Sequence, residues 1–235
     1  MRPLLLRWLG RVPYSDATKL QEELVASRRA GEIPDTLLLL EHPPVITFGR
    51  GSDPNHVLAG EQELARRGIE VHDAGRGGDV TYHGPVQLVG YPIVELRSER
   101  RDAHRYLRDI EQAVIDGVAE FDVTAERIAG LTGVWVGEEK LAAIGVRLST
   151  GWITSHGFAL NVHGDLAGFQ TIVPCGIRDR GVTSLARLTG SDLDVRTVAE
   201  RVAPHVARVL GLRAQWESTG ETPIRNAPVP TDQRS

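Results

Sequence analysis

The stretch GVWVGEEKLAAIGVRL, Gly133 to Leu148, decides how the chain is expected to fold. Two β-rich runs, Gly133 to Val136 and Leu141 to Leu148, flank the polar Gly137-Glu138-Glu139-Lys140, which is the pattern of a hairpin whose second strand begins at Lys140. Upstream, Asp102 to Phe121 places Ala103, Leu107, Ile110, Val114, Val118 and Phe121 on one face of an amphipathic helix. Downstream, Ile153 to Val162 reads as the next strand. Val195, Val198, Val202, Val206 and Val209 outline a late helix that Pro204 should kink or divide. Toward the start, Met1 to Leu9 reads as a first strand and Ser15 to Ala30 as a helix, with Ser15 as N-cap and Gly31 and Pro34 ending it. Thr36 to Glu41 and Val45 to Phe48 read as strands separated by His42-Pro43-Pro44, where proline forbids a continuous ladder. Helices fall among strands without regular alternation, so the expectation is an α+β fold of mixed sheets and flanking helices. Residues 1–217 read as one domain, and 218–235, polar and proline-rich, as a disordered tail.

Composition narrows the function. The chain has 235 residues, 41% of them hydrophobic, enough for one core. Its longest apolar runs, such as Leu37 to Leu40, fall far short of the roughly 20 residues that cross a bilayer, and Met1 to Leu9 lacks the pattern of a secretory leader. A soluble protein with the cytoplasm as default compartment is expected. A net charge of -4 and 5% aromatic content argue against a nucleic-acid binder. Arg97, Arg100, Arg101, Arg105 and Arg108 form a local basic cluster, either a docking patch for an acidic partner or a solvated helix face. A single cysteine excludes an intramolecular disulfide and a multi-thiolate zinc site. His42, His56, His72, His104 and His205 show no ligand spacing, so no metal is expected.

That cysteine, Cys175, lies between Pro174 and Gly176, a setting that can present a thiol at the end of a strand. A thiol of ordinary pKa about 8.5 needs a neighbouring cation or base to act as a nucleophile; otherwise it is a small buried hydrophobe. His83, His156 and His163 are candidate partners, and so is Lys140. Lysine occurs only at positions 19 and 140, in a chain that otherwise carries its positive charge on arginine. Unlike arginine, lysine can lose its proton. The loop Asp73 to Gly84 is glycine-rich and can fold its N–H groups around an anion or oxyanion, although it is neither a Walker loop nor a dinucleotide fingerprint. Ser155 to Val162 sets small residues beside one bulky aromatic, a pattern that suits a narrow apolar slot or ordinary core packing.

Taken together, Arg76-Gly77-Gly78-Asp79-Val80-Thr81-Tyr82-His83-Gly84-Pro85, Lys140-Leu141-Ala142-Ala143-Ile144-Gly145-Val146, His156-Gly157-Phe158-Ala159-Leu160-Asn161, and Pro174-Cys175-Gly176 with Val182-Thr183-Ser184-Leu185 resemble the octanoyltransferases of lipoate biosynthesis. The resemblance implies the fold shared with biotin and lipoate protein ligases. It also implies transfer of octanoyl, or lipoyl, from acyl carrier protein to a lysine of lipoyl domains, those of 2-oxoacid dehydrogenase E2 subunits and of the glycine cleavage H protein. By the same resemblance Cys175 is the acyl-thioester nucleophile and Lys140 activates it. Arg76, Gly77, Gly78, Asp79, Val80, Thr81, Tyr82 and His83, with Ala143, Ile144 and Gly145 and with His156, Gly157 and Phe158, bind the substrate. No cofactor and no ATP are implied, and the enzyme is expected to act as a monomer, away from membranes and nucleic acid. An ATP-dependent lipoate ligase, a cysteine-histidine hydrolase and a non-catalytic acyl or lipoyl-domain binder are the competing readings. One departure stands out: the family reads His-Gly-Pro-Gly-Gln where this chain has His83-Gly84-Pro85-Val86-Gln87. A valine forced to a positive φ would carry strain of about 1 to 3 kcal/mol.

Overall fold

Central strands that are buried along nearly their whole length let helices and loops cover the main sheet on both faces. The computed structural model of the chain describes residues 1–173 and 180–217. Strand β1 (Pro3–Arg11) leads into helix α1 (Tyr14–Ala30), and β2 (Asp35–Glu41) and β3 (Val45–Phe48) follow. Short helix α2 (Glu61–Arg66), β4 (Glu70–Asp73), β5 (Thr81–His83) and β6 (Gln87–Ile93) precede the long helix α3 (Ala103–Ala119). Then come β7 (Val134–Val136), β8 (Glu139–Ser149), β9 (Ile153–Asn161), β10 (Gly181–Val182), α4 (Leu185–Thr189), α5 (Val195–Val209) and β11 (Arg213–Trp216).

Among the described residues the main sheet runs β10-β8-β9-β6-β2-β1-β11 with β7 added to β8, and a small sheet runs β4-β3-β5. The expected hairpin is present: β7 pairs antiparallel with β8, which begins one residue early, at Glu139. The two strands around His42-Pro43-Pro44 also form, but they belong to different sheets. The prolines therefore mark a crossing between layers. Strand β2 is buried on both faces. Leu37 and Leu39 join the core under α3 and α5, while Leu38 and Leu40 face α1. A continuous run of leucine is what such a doubly covered strand requires.

Two local expectations are corrected. Helix α1 begins at Tyr14 behind Pro13, with no side-chain cap, and the Ser15 hydroxyl turns to Asp16 instead. Pro13 at the N-cap position has no side-chain acceptor, so the first-turn N–H groups go without a side-chain cap. Helix α5 is not divided by Pro204. Pro204 is exposed while Val195, Val198, Ala199, Val202, Ala203, Val206 and Ala207 form one buried stripe that holds the helix together across it. The expected tail from Ser218 onward lies outside the described residues.

The basic cluster proves to be mostly engaged with its own neighbours. Arg100 binds Asp109, Arg108 binds Glu111, and Arg101 and Arg105 donate to the carbonyls of Leu96 and Glu99. No helix among the described residues is long and apolar enough to cross a membrane.

Candidate active site

Strands β8 and β9 pair Ala143 with Ala159 and Gly145 with Gly157. Four small residues side by side leave a trough where larger side chains would fill the sheet surface. The glycine-rich loop covers it: the Gly77 N–H donates to the Val146 carbonyl at 3.0 Å, so the loop adds itself to the edge of β8. A Cβ at Gly145 would come within 2.8 Å of Arg76 Cδ, so this close seating requires glycine. Between trough and loop lies a cavity of about 480 Å³, bounded also by Tyr14, Tyr91, Thr81, His83, His156 and Phe158. That volume is within the range of small-molecule sites.

Arg76 is the brace of this loop. Its guanidinium, 7% exposed, donates to the carbonyls of Gly77 (3.0 Å), Asp79 (2.9 Å) and Thr47 (2.9 Å) and to Thr47 Oγ1 (2.8 Å). Asp79 continues the brace, its carboxylate accepting from His56 Nδ1 at 2.6 Å and from the Asp53 N–H at 3.2 Å. The His56 carbonyl in turn accepts the Val173 N–H at 2.7 Å. The glycine-rich loop and the last described residue before Cys175 are thus tied to one histidine.

Of the residues expected at the site, Arg76, Gly77, Gly78, Asp79, Thr81, His83, Ala143, Ile144, Gly145, His156, Gly157 and Phe158 all line the cavity. Strand alternation sends Val80 and Tyr82 elsewhere: Val80 is buried in the core beneath α2, and Tyr82 packs edge-on against Phe169 with ring centroids 5.5 Å apart. Lys140, 5% exposed, borders a second, very small cavity of about 10 Å³ together with Thr81, Ala143, Ala159, Asn161, Phe169 and Val182. Thr81, Ala143 and Ala159 line both cavities, so the lysine stands behind one shared wall of the large one. Cys175 lies outside the described residues. His163, another candidate partner, is at the surface and pairs with Asp192.

Burial sets the charge of the histidines. His83 is pushed down to about 3, first by desolvation and then by the nearby His42 and Arg76, and its Nδ1 meets Gln87 Oε1 at 2.8 Å. His156 is pushed down to about 4 by burial and by Arg76 and Arg147. His42, also held to about 4 by burial, bridges the Val12 carbonyl and the Tyr91 hydroxyl. All three are neutral at pH 7. Held down to about 3 to 4, these imidazoles carry no charge and are weak proton acceptors, so they are poorly matched to a thiol either as cation or as base, which favours Lys140 as the candidate partner.

Two residues at the site hold backbone angles that favour glycine. His156 has φ 53°, its N–H donating to Gln21 Oε1 at 2.8 Å. Val86 has φ 63°, so the loop keeps the glycine-like conformation and carries the strain. Its N–H donates to Glu41 Oε2 at 2.6 Å, and its carbonyl accepts the N–H groups of Val162 and His163. Three hydrogen bonds hold one unfavourable residue in place.

The sequence reading passed over Tyr14, Thr47, Tyr91 and Trp135. Tyr14 and Tyr91 wall the cavity, Thr47 receives the Arg76 guanidinium, and the Trp135 ring lies under Lys140. They come from segments that read only as helix start or strand, and their spacing carries no chemical pattern. The one available signal is the aromatic one residue back from the hairpin turn, paired across the strands with the lysine.

A profile of the lipoyl protein ligase A/B catalytic domain matches residues 13–207. The chain is 54% identical over 209 residues to an octanoyltransferase of Solibacter usitatus, covering 89% of this chain and 94% of that one. It is 50% identical over 220 residues to an octanoyltransferase of Chloroflexus aurantiacus, covering 93% and 99%. In fold it is similar to a lipoate-protein ligase A bound with ATP, with a TM-score of 0.71 at 16% identity over 93% of this chain and 90% of that one. A biotin protein ligase of Aquifex aeolicus gives 0.51 at 18% identity over 88% and 68%. Those two likenesses speak for the fold, whereas identity near one half over nearly the full length of both chains speaks for the family: the chain belongs to the octanoyltransferases, built on the lipoyl protein ligase A/B catalytic domain.

Proposed function

We propose that the chain transfers octanoyl from acyl carrier protein to a lysine of a lipoyl domain through an acyl thioester on Cys175, with Lys140 activating the thiol. The observation that carries this reading is the position of Lys140, buried at the wall where the small cavity meets the large one. The trough of Ala143, Gly145, Gly157 and Ala159 offers an apolar bed for an extended acyl chain.

The chain on either side of Cys175 has fixed anchors. Val173 is held by the His56 carbonyl at 2.7 Å. On the far side Val182 pairs with Lys140, and the Thr183 N–H donates to the Lys140 carbonyl at 3.0 Å.

In the first half-reaction the Cys175 thiolate adds to the thioester carbonyl, and the tetrahedral intermediate collapses with loss of the carrier thiolate, which takes a proton from Lys140. In the second, the acceptor amine adds to the enzyme thioester. Its proton passes to Lys140, the amide forms and the Cys175 thiolate leaves. Thioester replaces thioester and then yields the more stable amide, so the sequence runs without ATP. The acceptor class is that of lipoyl domains in 2-oxoacid dehydrogenase complexes and the glycine cleavage H protein, and the reaction takes place in the cytoplasm. Incubating the protein with octanoyl carrier protein and no ATP should raise its intact mass by one octanoyl group, and Cys175→Ala should abolish the gain. Acylation that survives the substitution, or that requires ATP, refutes the mechanism.

A further inference from the structure

Lys140 is almost wholly buried, and an ammonium taken out of water needs compensation. The Trp135 ring, 1% exposed, lies with its centroid 4.8 Å from Lys140 Nζ. That is cation–π distance, and indole is the strongest of the ring partners. Arg180 also approaches this ring, its Cζ 5.6 Å from the centroid, but it is ion-paired with Glu138. Lys140 is the nearer cation.

The direction of the ring is fixed from its backbone. Trp135 exchanges hydrogen bonds with Glu126, its N–H donating to the Glu126 carbonyl at 2.9 Å and its carbonyl accepting at 2.8 Å, while its other edge pairs with Lys140. A buried indole N–H ordinarily finds an acceptor, yet Trp135 Nε1 has none among the described residues. What this side chain contributes is its face. Behind the lysine stands Gly133, whose Cβ, if it had one, would lie 3.2 Å from Lys140 Cε. The Gly133 N–H donates at 2.9 Å to Oε1 of Glu111, a fully buried carboxylate on α3 whose Oε2 binds Arg108 and Arg127. Ring, glycine and buried carboxylate form a cradle shaped to the lysine side chain.

We infer that Trp135 is a positioning residue for the transfer reaction, its ring face holding the Lys140 ammonium at the wall of the acyl cavity. The assignment rests on Lys140 acting in transfer, as proposed above.

Single-turnover transfer from octanoyl carrier protein to a lipoyl domain should be measured for Trp135→Leu, Trp135→Phe and Lys140→Ala, each normalised to folded protein by near-UV circular dichroism and thermal midpoint. The loss of one cation–π contact corresponds to between about 2-fold and 30-fold in rate. Trp135→Leu should fall by that factor with the acceptor KM unchanged, and Trp135→Phe, which keeps a weaker ring face, should recover most of the rate. Equal rates for the Leu and Phe variants, or an effect confined to KM, overturns the inference. Should Trp135→Leu fail to fold, Trp135→Met supplies the ringless comparison. If Lys140→Ala abolishes transfer while Trp135→Leu retains it in full, this inference alone falls; if Lys140→Ala retains transfer, the mechanism proposed for the lysine falls first.

Discussion

Replacing Arg76 with lysine keeps the charge and removes the fork. The guanidinium makes at least four hydrogen bonds, to three carbonyls and a hydroxyl that come from both the glycine-rich loop and β3. A lysine has one nitrogen at the end of a flexible stem and can serve one or two of these acceptors at once. Two or three bonds are then lost in a place that water reaches poorly, since Arg76 is 7% exposed. At a net worth of about 1 to 1.5 kcal/mol each, the loss is about 2 to 4 kcal/mol. For a domain of this size about 1 kcal/mol moves the midpoint by roughly 2 to 4 °C, so Arg76→Lys should melt roughly 5 to 15 °C lower. Differential scanning calorimetry on the two proteins measures this directly. Acyl-enzyme formation should slow as well, because the roof of the cavity loses its internal brace. A midpoint within 2 °C of the parent would mean that the loop is shaped by its backbone contacts and that the guanidinium is kept for the substrate.

Three further outcomes follow from the same geometry. Val86→Gly removes strain of about 1 to 3 kcal/mol against a glycine entropy cost of about 0.5 to 1 kcal/mol and some lost packing, so it should be neutral to slightly stabilising in urea titration, and a clear loss of stability would refute the strain. Glu111→Ala leaves the Gly133 N–H without its acceptor and frees two partly exposed arginines that water can reach, so it should cost about 1 to 3 kcal/mol by the same titration; a cost below about 0.5 kcal/mol would contradict the network. His42, His83 and His156 are held down to about 4, 3 and 4 when folded, against about 6.5 unfolded, so below pH 6.5 the unfolded chain binds more protons than the folded one. Stability from this source is present above pH 6.5 and declines as pH falls toward 4, by up to about 1.4 kcal/mol per pH unit for each histidine; a thermal midpoint that is flat from pH 7 to 5 would show the imidazoles titrating normally.

Much of the architecture is legible in the sequence because periodicity reports burial. The stripe in α3, the hairpin at Lys140 and the glycine trough of β8 and β9 are each written in local spacing. What periodicity does not report is which layer a strand joins. Val45 to Phe48 reads as a separate strand after the prolines, and only tertiary pairing with Glu70 to Asp73 and Thr81 to His83 puts it in the second sheet. The site divides in the same way. Motif residues on the glycine-rich loop are recognisable in line, but Trp135, Tyr14 and Thr47 matter because of what lies across from them. Val80 and Tyr82 show the converse, since membership of a motif does not turn a side chain toward the ligand when strand alternation turns it away.

The seating of Gly77 on Val146, with Gly145 pressed against Arg76, gives the cavity an unusual relation between floor and roof. In most pockets a larger residue in the wall takes room from the guest. Here a methyl group at position 145 meets the roof before it meets any guest, and it would lift the loop off the strand. At this position side-chain volume and guest volume change in the same direction, until the Gly77 bond breaks and the pocket opens to water. Tuning cargo size is therefore better attempted at Ala143 and Ala159, which face each other farther along the trough and line the cavity.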